Sequence, residues 1–136
     1  MPDDLTQLRL DVARKLKWAP FDTCEIDDGM TWQNWAAPDV PMPAFVFISS
    51  TGQTSITGMP NWPADLGACQ EVLDAIRERN WRYRIGDGKD ENGEYAVGVS
   101  LMDATRVYAW PQVAAPTLSA AICRAFVQAV EASRGH

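Results

Sequence analysis

Apolar residues at Leu66, Cys69, Val72, Leu73 and Ile76 recur at helical spacing, and from Trp81 onward the period drops to two. A chain that changes period at Asn80 has to leave a helix there and enter a strand. The other segments must pack around that pair. The spacing predicts a helix over Pro63–Arg79. Pro63 suits its first position, where a missing N–H leaves no helical bond unmade, and Asp65 meets the positive end of the dipole. Arg77 and Arg79 suit the other end, and Asn80 suits the C-terminal cap. Trp81, Tyr83 and Ile85 then face one way and Arg82 and Arg84 the other. Gly86 to Gly93 (GDGKDENG) reads as an exposed loop. Alternation resumes with Tyr95, Val97, Val99 and Leu101 on one face, and Thr105 to Trp110 is β-prone until Pro111 ends it. The pattern predicts a hairpin extended into a meander.

At 136 residues the chain is expected to be a single domain, 1–136, with a core that needs no disulfide staples. Hydrophobic content of 46% with 22% charged residues is ordinary for a soluble globular protein. The longest uncharged run, Val40 to Ala64, holds four prolines and many hydroxyls and is no transmembrane segment. The start, with Asp3 and Asp4 and no basic apolar leader, does not read as a signal peptide. Three cysteines, odd in number and widely spaced, argue for a reducing compartment. Cys69 and Cys123 fall in helical runs and read as small core residues, whereas Cys24 sits in a loop-like stretch within reach of solvent.

A first helix is predicted over Asp4–Lys17, with Leu5, Leu8, Val12 and Leu16 on one stripe and Asp4 as its cap. Residues 18–61 are broken by prolines at 20, 38, 41, 43 and 60, and only Ala44 to Ser49 reads as a strand. Residues 36–59 are expected to be a loop-rich insertion. A last helix is predicted from Pro116 to Ser133, with Leu118, Ile122, Ala125, Phe126, Ala129 and Val130 along its stripe. The fold class expected is α+β: an α/β/α-type sandwich of a small, mainly antiparallel sheet of three to four strands with about three packed helices.

Several stretches together resemble the phage ABA sandwich domain family of small phage and prophage proteins. They are Pro60-Asn61-Trp62 leading into Asp65-Leu66-Gly67-Ala68, the strand Trp81-Arg82-Tyr83, and Ala120-Ala121-Ile122-Cys123-Arg124-Ala125. The first helix with Ala13 and Trp18 also fits, so that the likeness spans about two thirds of the chain. The family pattern places a Ser or Thr cap where Pro63 and Ala64 stand, and residues 36–59 are extra length. The resemblance implies a sandwich fold and a phage origin. It brings no established activity and no catalytic residues.

The acidic loop of Asp22, Glu25, Asp27 and Asp28 lacks the alternate oxygen ligands, sixth-position glycine and twelfth-position glutamate of a calcium loop. Asp87–Glu94 fails the same test. The serines at 49, 50 and 55 have no histidine base, since the one histidine is His136. No catalytic residue, cofactor site or metal site emerges from the sequence, and the reading leans away from an enzyme.

Two binding surfaces remain. From Trp18 through Asp74 there are eight acids and no Lys or Arg, and within that stretch Trp32 and Trp35 join the acids at 22, 25, 27 and 28. Aromatics with acids suit docking on a basic protein surface; alternatively the tryptophans simply lid the core. The second surface is an arginine-bearing sheet face, Arg82, Arg84 and Arg106, suited to a nucleotide or other small anionic ligand. The expectation is a phage-encoded accessory protein of the infected host's cytoplasm that binds a host or phage protein without catalysis. Inhibition of a host nucleic-acid-binding or defence protein fits the acidity. Nucleic acid and membrane are not the expected partners, and a homo-oligomer is left open.

Overall fold

The computed structural model describes residues 4–26, 29–37, 43–103, 110 and 112–133. They form three helices and two small antiparallel sheets, an α+β fold, and the chain falls into two units, residues 1–60 and 61–136. No helix among the described residues is long and apolar enough to cross a membrane.

The first unit holds α1 (Asp4–Lys15), β1 (Ala19–Glu25), β2 (Thr31–Ala36), β3 (Ala44–Ile48) and β4 (Thr54–Thr57). Leu8, Leu10, Val12 and Ala13 of α1 are buried, while Leu5, expected on the stripe, is exposed. The Asp4 side chain, expected as the cap, lies outside what is described. The helix stops because Lys17 turns to φ 77°, letting Trp18 N–H reach Ala13 O at 2.9 Å and Lys17 N–H reach Arg14 O at 3.2 Å. The four strands pair in chain order, β1-β2-β3-β4. Residues 36–59, expected to be loop-rich, thus contribute two paired strands, β3 and β4. Trp35, Ala44 and Val46 are fully buried on one face of the sheet. The Arg14 guanidinium stands 5.3 Å from the Trp35 ring centroid, which sets α1 against that face. Arg9 donates from Nε to Pro60 O at 3.0 Å and from Nη2 to Met59 O, tying the end of the unit back to α1. Burial lowers the pKa of this guanidinium.

The second unit holds α2 (Leu66–Glu78), β5 (Arg82–Lys89), β6 (Tyr95–Met102), β7 (Val113–Ala115) and α3 (Leu118–Ser133). The helix expected from Pro63 starts later, because Asp65 is its N-cap and accepts from Gly67 N–H at 2.9 Å. Leu66 consequently points to solvent, and Cys69, Val72, Leu73, Ala75 and Ile76 are the buried residues. At the other end the C-cap is Arg79 rather than the expected Asn80, which follows it at φ 61°, with Trp81 N–H on Ile76 O at 3.2 Å and Asn80 N–H on Arg77 O at 2.9 Å. The three strands pair in the order β5-β6-β7. Part of the expected loop at 86–93 is strand, since β5 runs to Lys89 and only the turn around Asp90–Gly93 stands free. Asp90 Oδ1 holds that turn by accepting from Asn92 and Glu94 N–H, both at 2.9 Å. Of the expected third strand, residues 105–109 lie outside the described residues, whereas β7 follows Trp110. Val97, Val99 and Leu101 are buried on one face of β6, and α3 packs on β6, β7 and α2. Ten of the fifteen α3 residues from Leu118 to Ala132 are buried, while Leu118, Arg124, Gln128, Glu131 and Ala132 remain partly or fully exposed. Gly98 lies on the other face beneath Gln112, whose side chain a Cβ there would strike.

Candidate functional site

Side chains alternate along a strand, so the register of the first sheet sorts the expected site residues onto two faces. Trp32 pairs with Cys24 and Phe47, and Asn34 with Asp22 and Phe45, which sets these six on one face. Trp35 pairs with Ala44 and faces the opposite way, into the core under α1. Glu25 pairs with Thr31 and also lies on the side away from Trp32. Asp27 and Asp28 lie outside the described residues. The structure therefore brings Asp22 and Trp32 together and separates both from Trp35 and Glu25.

The Trp32 ring is half-buried and packs on Phe45 at a centroid distance of 5.3 Å and on Phe47 at 6.3 Å. Its Nε1–H donates to Asn34 Oδ1 at 3.0 Å, and Asn34 Nδ2 in turn donates to Asp22 Oδ2 at 3.4 Å. The indole is thereby held in one orientation, with a carboxylate at the end of the chain. Ser55 and Thr57, opposite Phe47 and Phe45, are exposed and complete a polar margin. No strand of this sheet carries Lys or Arg. Such a surface, aromatic at its centre and polar with a negative charge at its rim, has the makeup of a protein-docking patch. Asn34, Phe45 and Phe47 were not singled out in the sequence, although Phe45 and Phe47 alternate with Ala44, Val46 and Ile48.

In the second unit Arg82 and Arg84 stand exposed on one face of β5, opposite Met102 and Ser100. Arg106 lies outside the described residues. Trp81, which a stacking platform would need, packs instead on Trp110, with centroids 4.6 Å apart. Arg79 is held between Trp81 and Phe126, at 5.6 Å and 5.4 Å from the ring centroids.

Cys24 is exposed, whereas Cys69 and Cys123 are buried and hydrogen-bond one another between α2 and α3. Cys69 Sγ also lies 3.8 Å from Ser119 O. Donation to Cys69 and burial push the Cys123 thiol up, so it stays protonated in this core. Among the described residues no three His, Cys, Asp or Glu side chains gather where a metal ion could sit. No model of a known protein family matches the chain, and no curated protein does.

Proposed function

We propose that the chain is a non-catalytic binding protein that docks on a basic surface of another protein through the outer face of β1–β4. The supporting observation is the half-exposed Trp32–Phe45–Phe47 cluster, rimmed by the Asp22 carboxylate on a sheet without Lys or Arg. The oriented indole supplies contact area at little entropic cost, and the carboxylate selects a cationic partner. On this reading, supported by the resemblance to the phage ABA sandwich proteins, it is a phage-encoded accessory protein of the infected host's cytoplasm, with a host or phage protein as partner. An inhibitor of a host nucleic-acid-binding or defence protein would set this acidic face where phosphates otherwise bind. The arginines at 82 and 84 support a nucleotide site less well, because they stand on an open strand beside Gly86 and Gly88 with no enclosing wall.

The test is affinity capture from phage-infected bacteria with wild type, Trp32→Ser, Asp22→Lys and the double variant Arg82→Ala with Arg84→Ala. A partner retained by wild type and by the arginine variant, but lost by the other two at unchanged folding, supports docking through this face. Loss only in the arginine variant transfers the function to β5. A partner bound equally by all four overturns both.

A further inference from the structure

Sheet edges leave main-chain groups unpaired, and most edges in this molecule carry a feature that blunts them. β1 has Pro20 and a shift of register between Pro20 and Asp22. β4 has four residues and β7 three. β5 has none of these protections. Its eight residues are exposed throughout and pair with β6 in unbroken register from Arg82↔Met102 to Lys89↔Tyr95. Asp90 N–H bonds Glu94 O at 2.8 Å, which makes that pair a hydrogen-bonded one and sets the phase of the ladder. By alternation, Tyr83, Ile85, Asp87 and Lys89 turn their N–H and C=O groups away from β6.

We propose that β5 pairs antiparallel with β5 of a second copy, joining two three-stranded sheets into one. The charge order supplies a complementary pair at each end of the ladder. Arg82 and Arg84 lie in the first half, Asp87 and Lys89 in the second and Asp90 just beyond it, and an antiparallel partner reverses that order. With the two-fold axis at Gly86, Arg82 falls opposite Asp90, Tyr83 opposite Lys89, and Ile85 opposite Asp87. Outward-facing residues then meet outward-facing residues, as the ladder requires. Moving the axis to Asp87 would set Asp87 against itself, and moving it to Ile85 would take Asp90 from Arg82. Asp90 Oδ1 is engaged in its own turn, leaving Oδ2 for the guanidinium. At Gly86 and Gly88 a Cβ would meet nothing within 4 Å, so the space beside them is open for the Arg84 side chain of the other copy. Pairing also covers Ile85, which is 43% exposed on a face otherwise buried at Val97 and Val99.

A single strand pair is a small interface, so the dimer is reversible and forms in the micromolar to millimolar range, up to about 1 mM. Sedimentation of the full chain across that range tests it. Asp87→Pro removes one outward N–H, which β6 does not use, and proline is tolerated on an edge strand. This variant should remain folded and sediment as a monomer, and Arg82→Glu should weaken association about tenfold or more. In wild type, amides of Tyr83, Ile85, Asp87 and Lys89 should gain exchange protection with concentration, while Arg84 and Gly86 amides should not change. A monomer throughout the range, a folded Asp87→Pro dimer, or exchange at these amides that ignores concentration would each overturn the proposal. Trp32→Ser should leave self-association intact, which separates this outcome from that of the docking face.

Discussion

Lys17 occupies a backbone position that usually falls to glycine, with φ 77° at the end of α1. A Cβ in the left-handed region costs roughly 1–2 kcal/mol, and glycine's extra freedom in the unfolded chain returns about 0.4–1 of that. Lys17→Gly should therefore be more stable than Lys17→Ala by about 1 kcal/mol in denaturant titrations, the alanine serving as control for the lost charge. Equal stabilities would mean that Trp18 does not fold back on Ala13 as described. The thiols give a second residue-scale prediction. Cys123 is pushed up in the folded state, so its contribution is complete below the unfolded cysteine pKa of about 8.5 and is lost as pH rises above it. Because the hydrogen-bonded Cys69 thiol is shifted down, the fall should set in only as pH rises above about 8.5, and it should be shallower in Cys123→Ala. Native protein should react with a thiol reagent at Cys24 alone, with Cys69 and Cys123 following only on denaturation.

At the scale of elements, the N-cap decides which leucine of α2 carries weight. Because Asp65 caps the helix, Leu66 is exposed and Leu73 is buried. Leu73→Ala should cost about 2–5 kcal/mol, whereas Leu66→Ala should stay within about 0.5 kcal/mol. Comparable losses would contradict the start assigned to the helix. The helices were legible because each carries its own apolar stripe, β3 because it is an unbroken apolar run, and β6 because Val97, Val99 and Leu101 alternate on a buried face. β1 was not legible, since it is exposed along its whole length and carries no period-two pattern. In β2, Trp32 and Trp35 are three apart and necessarily face opposite ways, so the pair cancels the alternation that would mark a strand. The Gly-Asp-Gly-Lys end of β5 has poor strand propensity and is held by its register with Tyr95–Gly98, a pairing that local composition does not encode. The candidate site was half visible for the same reason. Asp22 and Trp32 could be named from composition, but their company with Phe45 and Phe47 depends on strand register.

For the whole molecule, the net charge of −6 is concentrated between Trp18 and Asp74, where eight acids meet no Lys or Arg. That field and the aromatic cluster should act on different steps of binding. Charge draws a basic partner in over about 10 Å at 0.1 M salt, and so raises the association rate. The Trp32 cluster acts only in contact and so sets how long the complex lasts. With the captured partner, raising salt from about 0.05 to 0.5 M should slow association about tenfold or more while leaving dissociation nearly unchanged. Asp22→Lys with Glu25→Lys should mimic high salt, since both carboxylates contribute to the field although they lie on opposite faces of β1. Trp32→Ala should keep the fast, salt-sensitive association and raise the dissociation rate about 30-fold, the equivalent of a 2 kcal/mol contact. Salt-independent association would remove the acidic surface from recognition, and an unchanged dissociation rate in Trp32→Ala would leave the outer face of the sheet with no part in holding the partner.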